Sequence, residues 1–280
     1  MKDGIERTPK QFGYSPKVAD VVGPLAKFDK FAFFGMGGSG LVVDTLLFIK
    51  PELDIIVHKD YGLPVGKDLS GRLLVFISYS GNTEEVLDSF EQGLKEGHHL
   101  AVISKGGKLL KRAKELGVLY VEIPDMNIQP RTALPLMLLA ASQFMQDDGL
   151  TAQLKKLGKV LKPGAVESEG KALAKKLSDK IPLIYSSNSN QSLAYNWKIK
   201  FNETTKIPAF NSVVPESNHN EINGFDVNEK NKSLSSNLAV LLLEDSGDHP
   251  RIKKRMSVLK QVYINKGIQV ESVDVKGANR

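Results

Sequence analysis

A carboxylate and an imidazole occur in two polar stretches of the second half of the chain. Glu203 follows a helix-like run over residues 193–201, and His219 lies within the turn-forming stretch 216–221. A carboxylate can take a proton from one carbon and return it to the next, while an imidazole can protonate a ring oxygen near neutral pH. The pair suits proton transfer on a sugar, whereas the alternative is a solvated glutamate at a helix end and an incidental histidine.

Two loops rich in glycine and hydroxyl groups occur in the first half of the chain. The apolar run 31–34 leads into Gly-Met-Gly-Gly-Ser-Gly at 35–40, and the run 73–78 leads into Ser-Tyr-Ser-Gly-Asn-Thr at 78–83. Beyond the carboxyl ends of parallel strands, glycine lets the backbone approach a ligand and helix N-termini offer unpaired N–H groups. The loops predict a phosphate site, and ordinary turn and cap chemistry is the alternative for either loop alone.

The first loop also fits a dinucleotide-binding motif. Gly35, Gly37 and Gly40 satisfy the pattern Gly-x-Gly-x-x-Gly, and Asp60 is a candidate for the acidic residue that binds a ribose. A nucleotide-dependent oxidoreductase is therefore an alternative function. We favour a phosphate monoester, because several hydroxyls beside a helix N-terminus suit one compact phosphate better than a pyrophosphate.

An arginine is expected at the same edge of the sheet. Arg131 opens the long apolar helix after the fifth strand, where its guanidinium could stabilise a substrate oxyanion. A surface ion pair is the alternative interpretation. No group of histidines and carboxylates has the spacing of metal ligands, so we expect chemistry that is independent of a metal.

The elements that would position these residues alternate between strand and helix. We expect an α/β fold with two doubly wound parallel-sheet lobes, residues 1–149 and 150–280. A leading helix is expected from the helical spacing of Val18, Val21, Val22, Leu25 and Phe28. The expected strands are 31–34, 54–58, 73–78, 100–103 and 118–123 in the first lobe, and 181–186, 209–214, 238–243 and 269–275 in the second.

The composition narrows the class of protein. The chain is 41% hydrophobic and 25% charged, without an apolar run long enough to span a bilayer, so neither disorder nor a membrane protein is expected. The absence of cysteine excludes disulfides, thiolate metal sites and a cysteine nucleophile. The first residues lack the apolar segment of a secretory signal, so a cytoplasmic location is expected. The net charge of +6 is spread over helix-like segments and predicts no nucleic-acid partner.

The motifs together resemble a known family. The loops at 35–40 and 78–85 resemble the phosphosugar-binding loops of the sugar isomerase (SIS) fold. With the segments 129–131, 202–209 and 216–221, nearly the whole chain resembles the bifunctional phosphoglucose/phosphomannose isomerase family. The resemblance implies two SIS lobes, a homodimer, and interconversion of glucose 6-phosphate or mannose 6-phosphate with fructose 6-phosphate through a cis-enediol, without a cofactor.

The resemblance also implies a role for each matching residue. Arg131 would steady the enediolate, Glu203 would move the proton between the first two sugar carbons, and His219 would be the ring-opening acid, supplied by the other subunit. The residues that would contact the substrate are Gly38, Ser39, Ser78, Ser80, Thr83 and Arg131.

One feature of the family has no evident counterpart. Members of the family carry a lysine that assists ring opening in a helical tail near the carboxyl end, and Lys276 is not an obvious substitute for it. We therefore expect that the sequence is a shortened form of a longer protein or that a tail follows. A phosphosugar-sensing SIS module that binds without turnover is the alternative function.

Overall fold

The chain forms two structural units, each built on its own parallel β-sheet. A computed structural model describes residues 2–19, 25–225 and 229–275. The first unit comprises Met1–Pro163 and the second Gly164–Arg280. The expected α/β class with two parallel-sheet lobes is confirmed. None of the described helices is long and apolar enough to cross a membrane.

The first unit has a five-stranded sheet in the order β2-β1-β3-β4-β5, and all its strands are parallel. Helices cover both faces, which explains why the central strands are almost wholly apolar. The strands are β1 (Lys30–Phe34), β2 (Asp54–His58), β3 (Leu73–Ile77), β4 (His99–Ser104) and β5 (Leu119–Glu122). The helices are α1 (Lys2–Glu6), α2 (Thr8–Gln11), α3 (Gly37–Ile49), α4 (Glu84–Lys95), α5 (Gly107–Leu116), α6 (Leu134–Phe144) and α7 (Asp148–Val160).

Alternate side chains of β1 supply the cores on the two sides of this sheet. Phe31 and Phe33 pack with residues of α3, α6 and α7, while Ala32 and Phe34 pack with residues of α4 and α5. Successive side chains of a strand point to opposite faces, so one apolar run serves both cores. The ring of Phe34 stacks on that of Phe76 in β3, with the centroids 4.5 Å apart.

The expected leading helix is wrong for the residues that the structure describes. The chain begins with the short helices α1 and α2, and Val18, Leu25 and Phe28 are not helical. Ala19 instead forms an antiparallel bridge to Tyr120 of β5. Val18 and Phe28 nonetheless pack against the core of the first unit; Val21 and Val22 lie outside the described residues.

The division between the units lies later than the expected one near residue 149. Helix α7 belongs to the first unit because it packs closely on α2, where a Cβ added to Gly158 would lie 2.8 Å from the carbonyl oxygen of Pro9. Asp147 caps α7 by accepting the Leu150 N–H at 2.8 Å, and it pairs with Lys50. The hydrogen bond from Lys50 lowers the pKa of the Asp147 carboxyl. The charged and glycine-containing stretch at 146–149 is therefore a helix start rather than a linker.

The second unit has a four-stranded parallel sheet in the order β7-β6-β8-β9. Its core on one face joins β6 and β8 to the last helix, and β8 is buried over most of its length. The strands are β6 (Ile181–Ser187), β7 (Phe210–Val214), β8 (Leu238–Asp245) and β9 (Gln269–Val275). The helices are α8 (Glu167–Lys176), α9 (Gln191–Lys200), α10 (Lys232–Ser235) and α11 (Pro250–Asn265).

Two glycine loops of the first unit pack backbone against backbone at the carboxyl edge of its sheet. Gly81, after β3, has a φ of 71°, and a Cβ added there would lie 1.8 Å from the carbonyl oxygen of Gly106, after β4. Gly107 also has a φ of 71°, and its added Cβ would lie 2.3 Å from the carbonyl oxygen of Ser80. Only glycine combines this backbone conformation with so close an approach, so the contact fixes the loop at 78–83.

We expect Gly81→Ala to lower the free energy of unfolding by about 2 kcal/mol or more, because the left-handed conformation and the clash both add cost. Gly117→Ala is the matched control, since Gly117 has a φ of 64° but no atom within 4 Å of its added Cβ. That control should lose only about 1 kcal/mol. Chemical denaturation of both variants measures the difference, and equal losses would contradict the close packing.

Candidate active site

The order of the strands creates a crevice in the first unit. The connection after β1 leads to β2 on one side of it, whereas the connection after β3 leads to β4 on the other side, so the two connections diverge between β1 and β3. Ligands of open parallel sheets bind at such a switch point, beyond the carboxyl ends of the strands. The loop at 35–40 follows β1 and the loop at 78–83 follows β3. The topology therefore brings the two loops of the sequence analysis together.

Hydrogen bonds join these two loops. The backbone N–H of Tyr79 donates to Ser39 Oγ at 3.3 Å, which links the second loop to the first. Within the second loop, Ser78 Oγ and Thr83 Oγ1 are 2.8 Å apart. Ser39 and Ser78 are buried, whereas Ser80 is exposed. The Ser78 and Thr83 hydroxyls are thus bonded to each other, and the Ser39 hydroxyl accepts from the backbone of the same loop.

The two helices that start from these loops have no side-chain cap. Helix α3 begins at Gly37 after Met36, which provides no capping hydrogen bond. Thr83 is the N-cap residue of α4, as expected, but its side chain makes no capping bond and contacts Ser78 instead. The first N–H groups of a helix have no partner within that helix, and they carry the positive end of its dipole. Both helix starts are therefore suited to an anionic ligand.

Tyr79 anchors the second loop in the core. Its side chain is buried within the core cluster that includes Val75 and Ile103, and Lys105 Nζ lies 5.3 Å from its ring centroid. Burial, and to a lesser extent the Asp125 carboxylate, raises the pKa of its hydroxyl. The buried ring of Tyr79 therefore anchors the loop between Ser78 and Ser80.

The turn that carries Arg131 rests on the first loop. This 3₁₀ turn, Pro130–Thr132, comes before α6, and a Cβ added to Gly38 would lie 3.2 Å from Arg131 Cα. Gly38 is therefore needed because a side chain would push the turn away. These contacts thus bring together the two loops with Ser39, Ser78 and Thr83, and place the backbone of Arg131 against Gly38. Ser80 belongs to the same second loop and is exposed.

A residue that the sequence analysis missed holds the same turn from the other side. Gln11 of α2 is buried, and its Nε2 donates to the carbonyl oxygen of Thr132 at 2.8 Å. The amino-terminal helices thereby fix the position of Arg131. The sequence offers no local signal for this contact, because a single glutamine in a short helix has no distinguishing pattern and its partner lies 121 positions away.

The second unit carries the expected carboxylate. Glu203 is partly buried in a single π-helical turn, Phe201–Thr205, which continues α9. The Asn202 side chain donates to the carbonyl oxygen of Ile207 at 3.0 Å, and Thr205 Oγ1 donates to that of Phe201 at 2.7 Å. These bonds fix a turn of a kind that is frequent at functional sites.

The expected imidazole lies in the loop after β7. His219 ends the 3₁₀ turn Glu216–His219 and is exposed. Among the described residues, none makes a hydrogen bond with its ring. Two neighbours in the turn, Ser217 and Asn218, have buried side-chain oxygens without a hydrogen-bond partner in the described part of the chain. The turn thus presents its imidazole outward.

Glu203 and His219 come before and after the same strand of the second sheet, β7. Helix α9 leaves the carboxyl end of β6 and runs back to the amino end of β7, as a connection between parallel strands requires. Glu203 therefore precedes β7, while His219 follows it. Because β7 has five residues, its two ends lie roughly 15 Å apart. The two residues are thus carried by segments that adjoin opposite ends of this strand.

The dinucleotide alternative finds less support in this topology. Asp60 follows β2 and is exposed, and its carboxylate accepts the Tyr61 N–H at 2.8 Å. The order β2-β1-β3-β4-β5 is that of flavodoxin-like sheets, whereas dinucleotide-binding sheets place the third strand beyond the second. Among the described residues, no group of three or more histidines and carboxylates could hold a metal ion.

Known proteins resemble this chain in sequence and in fold. The family model for the bacterial phospho-glucose isomerase C-terminal SIS domain matches residues 166–280. The bifunctional phosphoglucose/phosphomannose isomerase of Aquifex aeolicus (strain VF5) is 34% identical over 259 residues, which cover 89% of this chain and 77% of the relative. The relative of the same name from Caldicellulosiruptor bescii is 34% identical, and the match covers 94% of this chain and 82% of the relative.

A solved structure agrees with the fold. The tagatose-6-phosphate ketose/aldose isomerase of Escherichia coli superposes with a TM-score of 0.66 at 13% identity, and the match covers 99% of this chain and 81% of that one. At this identity the likeness concerns the fold alone. The sequence relatives go further, because they match at 34% identity over most of their own length. The chain belongs to the bifunctional phosphoglucose/phosphomannose isomerase family.

Proposed function

We propose that this protein is an aldose–ketose isomerase that interconverts glucose 6-phosphate and mannose 6-phosphate with fructose 6-phosphate. The observation that carries the proposal is the hydrogen bond that joins the two hydroxyl-bearing loops at the switch point of the first sheet, in a chain of this family. The two relatives reported above are named for both isomerase activities. Phosphorylated sugars are charged and do not cross membranes unaided, so we also propose a cytoplasmic location.

The phosphate of the sugar would bind to the two loops of the first unit. The hydroxyls of Ser39, Ser78, Ser80 and Thr83 would donate hydrogen bonds to its oxygens, and the uncapped start of α3 would supply backbone N–H groups. Gly38 would let the phosphate approach the backbone. Such a site suits a monoester, because its donors surround one compact position rather than two linked phosphates.

The chemical step would move a proton between the first two carbons of the sugar. Glu203 would take the proton from C2 of the open-chain aldose, which gives a cis-enediol after O1 is protonated. It would then return the proton to C1 while O2 loses its own proton, which gives the ketose. Arg131 would stabilise the negative charge that develops on the enediolate oxygen. Because the planar enediol has no stereocentre at C2, both aldoses would share it.

The ring of the substrate must open before this step. We propose that His219 acts as the acid that protonates the ring oxygen and that it reaches the substrate from the second subunit of a homodimer. The support is geometric. Glu203 and His219 of one chain lie on segments that adjoin opposite ends of β7, which favours the histidine of another copy for a substrate beside Glu203. The exposure of His219 fits such a role.

We expect Glu203→Gln to lower kcat for fructose 6-phosphate by about a hundredfold or more, because the amide cannot accept the proton. Glu52→Gln is the control, since it removes an exposed carboxylate from the first unit and should leave kcat unchanged. Product formation followed for glucose 6-phosphate and mannose 6-phosphate separately measures both activities. Undiminished turnover in Glu203→Gln would contradict the mechanism. Binding of fructose 6-phosphate without turnover in the unmutated protein would favour the phosphosugar-sensing alternative.

The contribution of His219 across subunits can be tested by mixing two inactive variants. When Glu203→Gln and His219→Gln chains are co-expressed with different tags, the purified mixed dimer should contain one intact site. Its activity should be about half that of the unmutated dimer, since a symmetric dimer has two equivalent sites. Each variant alone should remain inactive. A mixed dimer as inactive as its parents would show that both residues act within one chain.

A further inference from the structure

A row of buried hydroxyls connects the last helix of the second unit to the segment that carries His219. The Tyr263 hydroxyl, on α11, donates to the Tyr185 hydroxyl, on β6, at 3.1 Å. The Tyr185 hydroxyl donates to Glu221 Oε2 at 3.0 Å. Both rings are fully buried, with exposures of 0% and 1%. Buried polar groups at this depth are costly unless they are paired, so the row requires the carboxylate at its end.

The carboxylate of Glu221 receives hydrogen bonds on both of its oxygens. Ser212 Oγ donates to Oε1, while Tyr185 donates to Oε2. Tyr185 and Ser212 are direct partners in the ladder between β6 and β7, so their side chains stand side by side on one face of the sheet. Two adjacent strands thus hold the same carboxylate.

The direction of the row is fixed by protonation. Burial, followed by the neighbouring Tyr263 and Glu221, raises the pKa of the Tyr185 hydroxyl far above its ordinary value. Burial likewise raises the pKa of Tyr263. Both hydroxyls therefore stay protonated and donate toward the acceptor-only carboxylate. If the two hydroxyls donated in the opposite direction, one of them would be left without an acceptor.

The segment held in this way has little regular structure of its own. It consists of the 3₁₀ turns Glu216–His219 and Glu221–Phe225, and hydrogen bonds in such turns have poorer geometry than those of an α-helix. Its far end packs on the same row, because the ring of Phe225 meets that of Tyr263 edge-on at 4.9 Å. Glu221 is thus an anchor two positions from His219.

We propose that Tyr185, Tyr263 and Glu221 are positioning residues that hold the segment of His219 in place, so that its imidazole reaches the ring oxygen of the substrate. The inference rests on the proposed function, since it assigns these residues to the ring-opening step. None of the three residues touches the substrate in this account. They act through the backbone between Glu221 and His219.

The ring-opening step can be separated from the proton transfer by the choice of substrate. Fructose 6-phosphate closes its ring through the oxygen on C5, whereas 5-deoxyfructose 6-phosphate lacks that oxygen and remains open. We expect Tyr185→Phe to lower kcat for fructose 6-phosphate by about tenfold to a hundredfold, because a small displacement of an acid is enough for such a loss. The same variant should convert the open-chain substrate at nearly the unmutated rate. Equal losses with both substrates, or no loss with either, would overturn the inference.

Further variants keep this result interpretable. Glu221→Gln preserves the shape of the anchor but removes its charge, so it should show the same preference for the open-chain substrate if Tyr185→Phe does not fold. Tyr14→Phe is the matched control, because the Tyr14 hydroxyl donates to the carbonyl oxygen of Glu122 in the first unit and has no part in the row. It should leave both rates unchanged.

The His219→Gln variant separates the inference from the proposed function. It should lose turnover of fructose 6-phosphate and retain turnover of the open-chain substrate. If His219→Gln loses both equally, the ring-opening role of His219 is wrong. If His219→Gln discriminates between the substrates and both Tyr185→Phe and Glu221→Gln do not, the proposed function stands and the positioning role is wrong.

Discussion

The hydrogen bond from the Tyr79 N–H to Ser39 Oγ joins the two loops on which the proposed phosphate site depends. It can form only because β1 and β3 are neighbours, which places the residues after each strand at the same edge of the sheet. The contact of Gly81 with Gly106 fixes the second loop from its other side. Each constraint removes freedom from the hydroxyl-bearing side chains before a ligand arrives, so the donors are in place without a further cost of ordering.

A second constraint follows from the handedness and direction of connections in parallel sheets. A helix between two parallel strands must return to the amino edge, so the segment after α9 and the loop after β7 adjoin opposite ends of that strand. Glu203 and His219 occupy these two positions. If both residues act on one substrate, as proposed, a symmetric dimer is the economical way to bring them together. Catalysis and assembly would then be one property rather than two.

The sequence predicted most of the regular structure because buried strands are continuous apolar runs. The bounds of β2 and β9 agree with the expected ranges 54–58 and 269–275. The apolar spacing around Val18 wrongly predicted a helix for the described residues, because apolar residues that pack against a sheet can also recur at helical spacing. The loops were visible because their glycines and hydroxyls are unusual locally. The supports of the site, such as the contact of Gln11 with Thr132, join distant parts of the chain and leave no local signal. The lysine position considered at Lys276 lies outside the described residues.

The most direct measurement of the central claim is a crystal structure of the protein with fructose 6-phosphate bound. We expect the phosphate within hydrogen-bonding distance of the Ser39, Ser78 and Thr83 hydroxyls, beside the start of α3. We also expect C1 and C2 of the sugar beside the carboxylate of Glu203, with the imidazole of a second copy at the ring oxygen. A phosphate bound away from these loops, or a reactive end remote from Glu203 in every copy, would contradict it.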